Sequence, residues 1–511
     1  MPLQTSSVSV DAVSNSTKVW AFILGPVLAV AVYFLLPDQF VSTTGDVVQF
    51  GHAGKACASV TTLMAVWWFT EALPIAVTAL IPIILFPLLG VATPVNTMRH
   101  YASGTIFLFL GGFLIAAAIH RWHLDRRIAL VTIRLFGTKP NQMIFGLMIS
   151  TAFLSAWVSN SATAAMMVPI AVAVMGVIRS AQTSPEITKD EKNFSICVLL
   201  CIAYAASIGG LATLVGSPPN GIFARFVEDT YHVQVSFLGW MKVALPMTLL
   251  LLPAIYILLT KFLFPVNLKG IPGGREWVRN ELEKLGPLSR GERIVLVVFV
   301  LAAAAWMFGP LLRGIEIAGT YPLKPLSEEL IAMTAGVLLF IIPVDAKRGI
   351  HALDWNSAKD VVAWDVLLLF GGGLSMAAAI QSTGVAALIG AQAKVFEGVN
   401  EIVMMTGIST IITFASEVTS NTALAATMMP VIAAAAESLH INPEAPLFAT
   451  VFAASCAFMM PVGTPPNAIV FGTGRLKIGD MVKAGIWLNF IAIFLGVVCS
   501  LVLGHGLIPT S

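Results

Sequence analysis

"SNSATAAMMVP" (159–169) and "SNTALAATMMP" (420–430) are near copies of each other, and each lies in a strongly apolar stretch. Both put a Ser-Asn pair and a further hydroxyl where a lipid-facing or core helix would hold hydrocarbon. Ser and Asn compete with the helix backbone for hydrogen bonds, so they suit helix caps better than helix interiors. The expected local structure is a helix that stops, turns and restarts. Such a turn at membrane depth leaves N–H and C=O groups without partners. It is tolerated only where it is buried in protein or lines a wet cavity.

The surroundings require a membrane. The chain has 511 residues, 57% hydrophobic and only 11% charged, against about 25% charged in a soluble domain. Apolar runs long enough to span, roughly 17–25 residues, recur throughout, such as "VWAFILGPVLAVAVYFLL" (19–36) and "IWLNFIAIFLGVVCSLVLG" (486–504). The net charge of +2 comes without a basic block of the kind that binds nucleic acid. The five cysteines sit in apolar runs as packing residues and form no disulfide framework. The first 18 residues are polar and too weakly basic for a signal peptide, so the segment from Val19 reads as an uncleaved first span.

Placing positive charge inside orders the rest. The basic stretch "RWHLDRRIALVTIRLFGTKP" (121–140) and Arg179, Lys189 and Lys192 all belong on the cytoplasmic face. The run 141–178 must then start and finish inside, as a re-entrant hairpin. A second hairpin, 402–438, starts and finishes outside, near Lys394. The expected fold is an all-α polytopic membrane protein of about eleven transmembrane helices plus two re-entrant hairpins. Its parts are a polar cytoplasmic N-terminus (1–18), a first repeat (19–264), a charged cytoplasmic linker (265–292) and a second repeat (293–511). The N-terminus lies in the cytoplasm, the C-terminus outside.

The halves match in three blocks. "FLGGFLIAAAI" (109–119) resembles "FGGGLSMAAAI" (370–380), and "FLSAWVSNSATAAMMVPI" (153–170) resembles "FASEVTSNTALAATMMPVI" (414–432). "LVGSPPNGIF" (214–223) resembles "PVGTPPNAIV" (461–470). Since one hairpin opens inward and the other outward, the repeats are inverted, as in many secondary transporters with broken helices.

The polar blocks supply two kinds of chemistry. A half-helix N-terminus offers N–H donors and partial positive charge to a carboxylate or sulfate. Freed carbonyls offer hard oxygens to a cation such as sodium. Ser155 lies four residues before Ser159 on the expected helix face, Ser416 four before Ser420, and Thr419 adds another oxygen. The Pro-Pro pairs break the helix and expose the carbonyls of Gly216, Ser217, Gly463 and Thr464. Neither hairpin core contains Lys, Arg or His, so accompanying cations must offset an anion's charge. Glu71 divides between interfacial anchor and functional group, and Glu417 is a candidate to tune a cation site. His120 and His123 belong to the basic internal stretch.

The twin Ser-Asn motifs, the paired "G[ST]PPN" elements and "WWFTEALPIAVTALIP" (67–82) together resemble the divalent anion/sodium symporter family. This resemblance spans about Val19 to Gly504. It implies a homodimer in membrane lipid, with a scaffold and a mobile transport domain working as an elevator. It further implies one sodium site at Ser155, Ser159, Asn160 and Gly216, and another at Ser416, Thr419, Asn421 and Gly463. Ser159-Asn160-Ser161 and Ser420-Asn421-Thr422, with Ser217 and Thr464, would hold the substrate carboxylates. Ser161 departs from the family's usual Thr, which leaves substrate size open. The expected activity is sodium-coupled import of C4-dicarboxylates such as succinate, fumarate and malate across the cell membrane. A sodium-independent dicarboxylate or citrate exchanger and a sulfate transporter stay open. An intramembrane enzyme is disfavoured, since no His-Glu-x-x-His, Gly-x-Ser-x-Gly or P-loop occurs.

Overall fold

The computed structural model describes residues 15–41, 47–180, 187–268, 270–271, 273–316, 319–393 and 398–506. Most of the polar tail expected over 1–18, and Lys394, lie outside them.

The first half runs through α1 (Asn15–Leu35), α2 (His52–Thr70), α3 (Ile75–Ala79), α4 (Ile81–Leu88), α5 (Pro94–Met98), α6 (Gly104–Arg121) and α7 (Leu124–Phe136). It continues with α8 (Pro140–Ser155), α9 (Asn160–Ser180), α10 (Lys189–Leu211), α11 (Pro218–Tyr231), α12 (Phe237–Ile257) and α13 (Gly274–Leu285). The second half comprises α14 (Arg290–Arg313), α15 (Glu328–Ile341), α16 (Trp355–Lys359), α17 (Trp364–Ser382), α18 (Val385–Ala393) and α19 (Glu401–Ser416). It ends with α20 (Asn421–Ser438), α21 (Glu444–Ser455), α22 (Pro465–Phe471) and α23 (Ile478–Leu503). Two short antiparallel strand pairs, Gln39–Val41 with Val47–Gln49 and Pro343–Asp345 with Ile350–His351, fill loops. The helices make a polytopic membrane protein, and seven of those described are long and apolar enough to cross a bilayer.

The sequence repeat is a structural repeat. Helices α6 to α12 recur in order as α17 to α23. Pro169 in α9 and Pro430 in α20 occupy the same place, 261 residues apart, and each removes one internal helix hydrogen bond. The turn from α6 into α7 passes through His123 with φ 54°, and the turn from α17 into α18 through Gly384 with φ 81°. These two left-handed residues are also 261 apart, so one sharp corner is built twice. The rings of Phe109 and Phe370, equivalent residues again, meet edge to face with centroids 4.8 Å apart. The line relating the halves therefore passes close to that pair.

Helix α10 is the interior post, buried along its apolar length. By contrast, α14 and α23 present Val297, Leu301, Leu311, Phe490 and Phe494 outward, as lipid-facing helices do. The halves interlock around α10: α11 packs on α20, and α22 packs on both α9 and α10. Trp157, at the tip of the first hairpin, stacks on Phe237, which stacks in turn on Trp306 of α14. All five cysteines are free and buried, as expected of packing residues.

The linker expected over 265–292 contains α13, which lies on α7 and α9. Arg126 and Lys284 both grip Glu281, at 2.6 and 2.5 Å. Lys284 first, then Arg126, hold the Glu281 carboxyl below its ordinary range. Arg127 reaches both oxygens of Glu292, at 2.6 and 3.2 Å. The basic stretch after α6 is thus tied to the linker by ion pairs.

Small residues let the central helices approach. A Cβ on Gly111 of α6 would stand 2.4 Å from the Ala332 carbonyl carbon of α15. In the other half, a Cβ on Gly372 would stand 2.4 Å from Ala79 O of α3. Gly111→Val is therefore expected to cost about 1–3 kcal/mol through overpacking, seen as a lower thermal midpoint in detergent. An unchanged midpoint would mean that α6 and α15 are not packed at backbone distance.

Candidate functional site

Each half contains a hairpin tip beside a break in a second helix. The tips are residues 156–159 between α8 and α9, and 417–420 between α19 and α20. The breaks are residues 212–217 between α10 and α11, and 456–464 between α21 and α22.

The tips are capped alike. Ser159 Oγ accepts from Ala162 N, and Ser420 Oγ from Ala423 N, both at 3.4 Å. The Ser159 carbonyl accepts from Thr163 N at 3.0 Å and the Ser420 carbonyl from Leu424 N at 2.9 Å. Asn160 and Asn421 are the first helical residues, so their own amides are among those a helix start leaves unpaired. The triplets Ser159-Asn160-Ser161 and Ser420-Asn421-Thr422 are half-buried, whereas Ser155, Gly216, Ser416 and Gly463 are fully buried. Each block therefore has an outer and an inner layer of oxygen atoms.

One expectation needs correction. Ser155 and Ser159 do not share a helix face, because α8 ends at Ser155 and Ser159 caps the next helix; Ser416 and Ser420 stand likewise. The inner serines turn instead toward the backbone. Ser155 Oγ donates to Ala206 O at 2.6 Å, and Ser416 Oγ to Thr413 O at 2.8 Å. The Asn160 amide satisfies its neighbours when its nitrogen donates to Ser155 Oγ (2.7 Å), Ala206 O (3.0 Å) and Gly216 O (3.2 Å). Thr419 Oγ1 donates to Ala415 O at 2.8 Å.

The breaks follow one plan. Pro218-Pro219 and Pro465-Pro466 occupy the first helical turns of α11 and α22, where missing N–H groups cost nothing. They start helices rather than interrupt them; the interruption lies on the N-terminal side. There the asparagine of each "PPN" is a clamp. Asn220 Nδ2 donates to Gly210 O (2.8 Å) and Thr213 O (2.7 Å). Asn467 Nδ2 donates to Ala457 O (3.1 Å) and Met460 O (3.0 Å). The spacing is identical, to carbonyls ten and seven residues back, and both asparagines are inaccessible to solvent. Ser217 precedes α11 as its cap residue, and Thr464 Oγ1 accepts from Asn467 N at 3.3 Å.

Oxygen atoms crowd the inner layer. A Cβ on Gly216 would stand 2.6 Å from Gly210 O and 2.9 Å from both Ser155 O and Ala156 O. Only glycine fits, and the space is lined by carbonyls from the tip and from the ends of α8 and α10. A Cβ on Gly463 would stand 3.2 Å from Glu417 O and from Glu417 Oε2. Asn421 Oδ1 is buried without a hydrogen-bond partner among the described residues. Hard oxygens of this kind suit a small cation.

Three groups here were not among the sequence-derived site residues. Asn220 and Asn467 are the first two. Glu417 was only a candidate for tuning a cation site; it is 3% exposed and takes the N–H groups of Phe458, Met459 and Met460 at 2.8–3.0 Å. Asn489 Nδ2 donates to it as well, at 2.7 Å. Tyr204 of α10 is the third, its hydroxyl donating to Phe458 O at 2.9 Å. Glu71 stands apart from both blocks: exposed, with φ 49°, it ends α2 at a turn.

Residues 18–508 match the family model described as the sodium:sulfate symporter transmembrane region. The chain is 37% identical over 483 residues to the sodium-dependent dicarboxylate transporter SdcS of Staphylococcus saprophyticus, covering 94% of this chain and 90% of that one. Against the protein of the same name from Staphylococcus aureus it is 36% identical, covering 92% and 88%. Among solved structures, the Alcanivorax borkumensis YdaH transporter shares the fold at 14% identity, with a TM-score of 0.61 over 97% of this chain and 100% of that one.

The clamps lead to a direct test. Asn220→Leu or Asn467→Leu strands two buried carbonyls, each worth about 1–3 kcal/mol. Either variant is expected to lose several degrees of thermal midpoint and most transport. Full stability would show that those carbonyls find other donors.

Proposed function

This chain belongs to the sodium:sulfate symporter family, and on that premise we propose a sodium-coupled secondary transporter that imports C4-dicarboxylates such as succinate, fumarate and malate. It is a transporter rather than an enzyme. The observation that carries the reading is the doubled arrangement of a capped helix N-terminus over buried oxygen atoms. The name shared by the relatives at 36–37% identity supports dicarboxylate over sulfate.

On this reading the outer layer holds the anion. Ser159-Asn160-Ser161 and Ser420-Asn421-Thr422 offer hydroxyls, amides and the first-turn N–H groups of α9 and α20 to the two carboxylates, with Ser217 and Thr464 beside them. Sodium lies where the inner layer meets the outer, at Ser155, Ser159, Asn160 and Gly216, and at Ser416, Thr419, Asn421 and Gly463. The carbonyls around Gly216 and the unpartnered Asn421 Oδ1 support that division. Two sodium ions beside the helix ends offset the charge of the dicarboxylate, so coupling follows from electrostatics: the anion binds well only where cations already sit. The hairpins face opposite sides of the cell membrane, with the N-terminus cytoplasmic and the C-terminus outside. The protein works as a homodimer whose transport domain moves past a scaffold as an elevator.

The deciding experiment is radiolabelled succinate uptake into proteoliposomes of the purified protein. An inward sodium gradient is expected to accelerate uptake at least tenfold over choline. Uptake that ignores sodium but needs internal dicarboxylate would make this an exchanger and overturn the cation sites. Asn160→Ala and Asn421→Ala are each expected to reduce sodium-driven uptake by an order of magnitude or more.

A further inference from the structure

The two halves tie hairpin tip to helix break with opposite chemistry. In the first half the tie is neutral: Thr213 Oγ1, in the break, donates to Ala156 O, in the tip. The residue that corresponds to Ala156 in the second half is Glu417. There the tip supplies the acceptor and the break supplies the donors. Both Glu417 oxygens accept only from N–H groups: Oε1 from Phe458, Met459 and Asn489, Oε2 from Met459 and Met460. The three backbone N–H groups cannot accept a hydrogen bond in return, and they reach both oxygens, so the arrangement fits an anion. Its oxygen Oε2 lies 3.2 Å from where a Cβ on Gly463 would be. At the matching place beside Gly216 the three nearest atoms are all carbonyl oxygens.

We infer that Glu417 is a positioning residue that also makes the two symmetry-related cation sites unequal. It holds residues 458–460 in the shape that brings Gly463 to the tip, and it places a full negative charge beside the second site only. In a buried, water-poor region such a charge acts on a cation much more strongly than it would in water. The second site therefore binds sodium more tightly and fills first. The inference rests on the sodium-coupled reading above.

The test uses the full chain in proteoliposomes and compares the sodium concentration for half-maximal succinate uptake with the succinate KM at saturating sodium. Gln at position 417 keeps the shape but turns an N–H toward N–H donors and removes the charge. Glu417→Gln is expected to raise the sodium half-activation at least tenfold while changing KM less than threefold. Thr213→Val, which cuts the neutral tie, is expected to shift sodium half-activation less than threefold. Glu417→Asp keeps the charge at a shorter reach and is expected to raise it at least threefold; it decides the matter if Glu417→Gln does not fold. Equal effects on sodium activation and KM, or a larger sodium shift for Thr213→Val, would overturn the inference. A wild-type protein indifferent to sodium would instead sink the preceding reading, so the two failures are distinguishable.

Discussion

A backbone that stops being helical inside a membrane protein must find a partner for every N–H and C=O it sets free. That requirement governs this molecule more than hydrophobic burial does, since apolar surface is abundant in it. Each break is closed by side chains from several directions. In the first, Asn220 takes two carbonyls, Thr213 takes Ala156 O, and Trp240 Nε1 donates to Leu211 O at 2.8 Å. In the second, Asn467 repeats the clamp, Glu417 gathers three amides and Tyr204 caps the Phe458 carbonyl. Among the described residues the helix starts at the tips and Asn421 Oδ1 stay unsatisfied, as do the clamp oxygens Asn220 Oδ1 and Asn467 Oδ1. The groups at the tips are the ones the proposed reading gives to the charged cargo.

Symmetry of shape does not require symmetry of chemistry. The asparagine clamps and the serine caps at the tips repeat residue for residue, whereas the ties across tip and break do not. The inner serines already differ, Ser155 bonding across to α10 and Ser416 back along its own helix. Thr413 Oγ1 covers the gap by donating to Ala453 O at 3.3 Å, the counterpart of Ala206. A duplicated fold can therefore specialise its two sites by moving a donor from one strand of a contact to the other.

Much of this was legible in the sequence because polar residues in apolar runs are costly and so carry information. The repeat offset, the two tips at Ser159 and Ser420, and the proline-marked breaks could all be read from spacing. The end of α8 at Ser155 could not, since "TAFLSAW" contains no helix breaker; acceptors on α10 set that boundary. Asn220 and Asn467 read as parts of a breaker motif, while their partners lie upstream on a path visible only after folding. Tyr204 is one apolar-looking residue in a long apolar run. Glu417 was visible as an ionisable group at depth, but its four donors come from residues 41–72 positions away.

The hydroxyl of Tyr204 on the Phe458 carbonyl also bears on how the protein is made. The side chains named above that close the first break all belong to the first half, so that break can close as soon as α12 has been synthesised. The second break needs Tyr204, which belongs to the first half, and α22 must also settle against α9. Assembly at the ribosome therefore has a direction: the N-terminal half serves as the mould on which the C-terminal half sets. Exchanging the order of the halves by circular permutation would ask the dependent half to emerge before its mould exists.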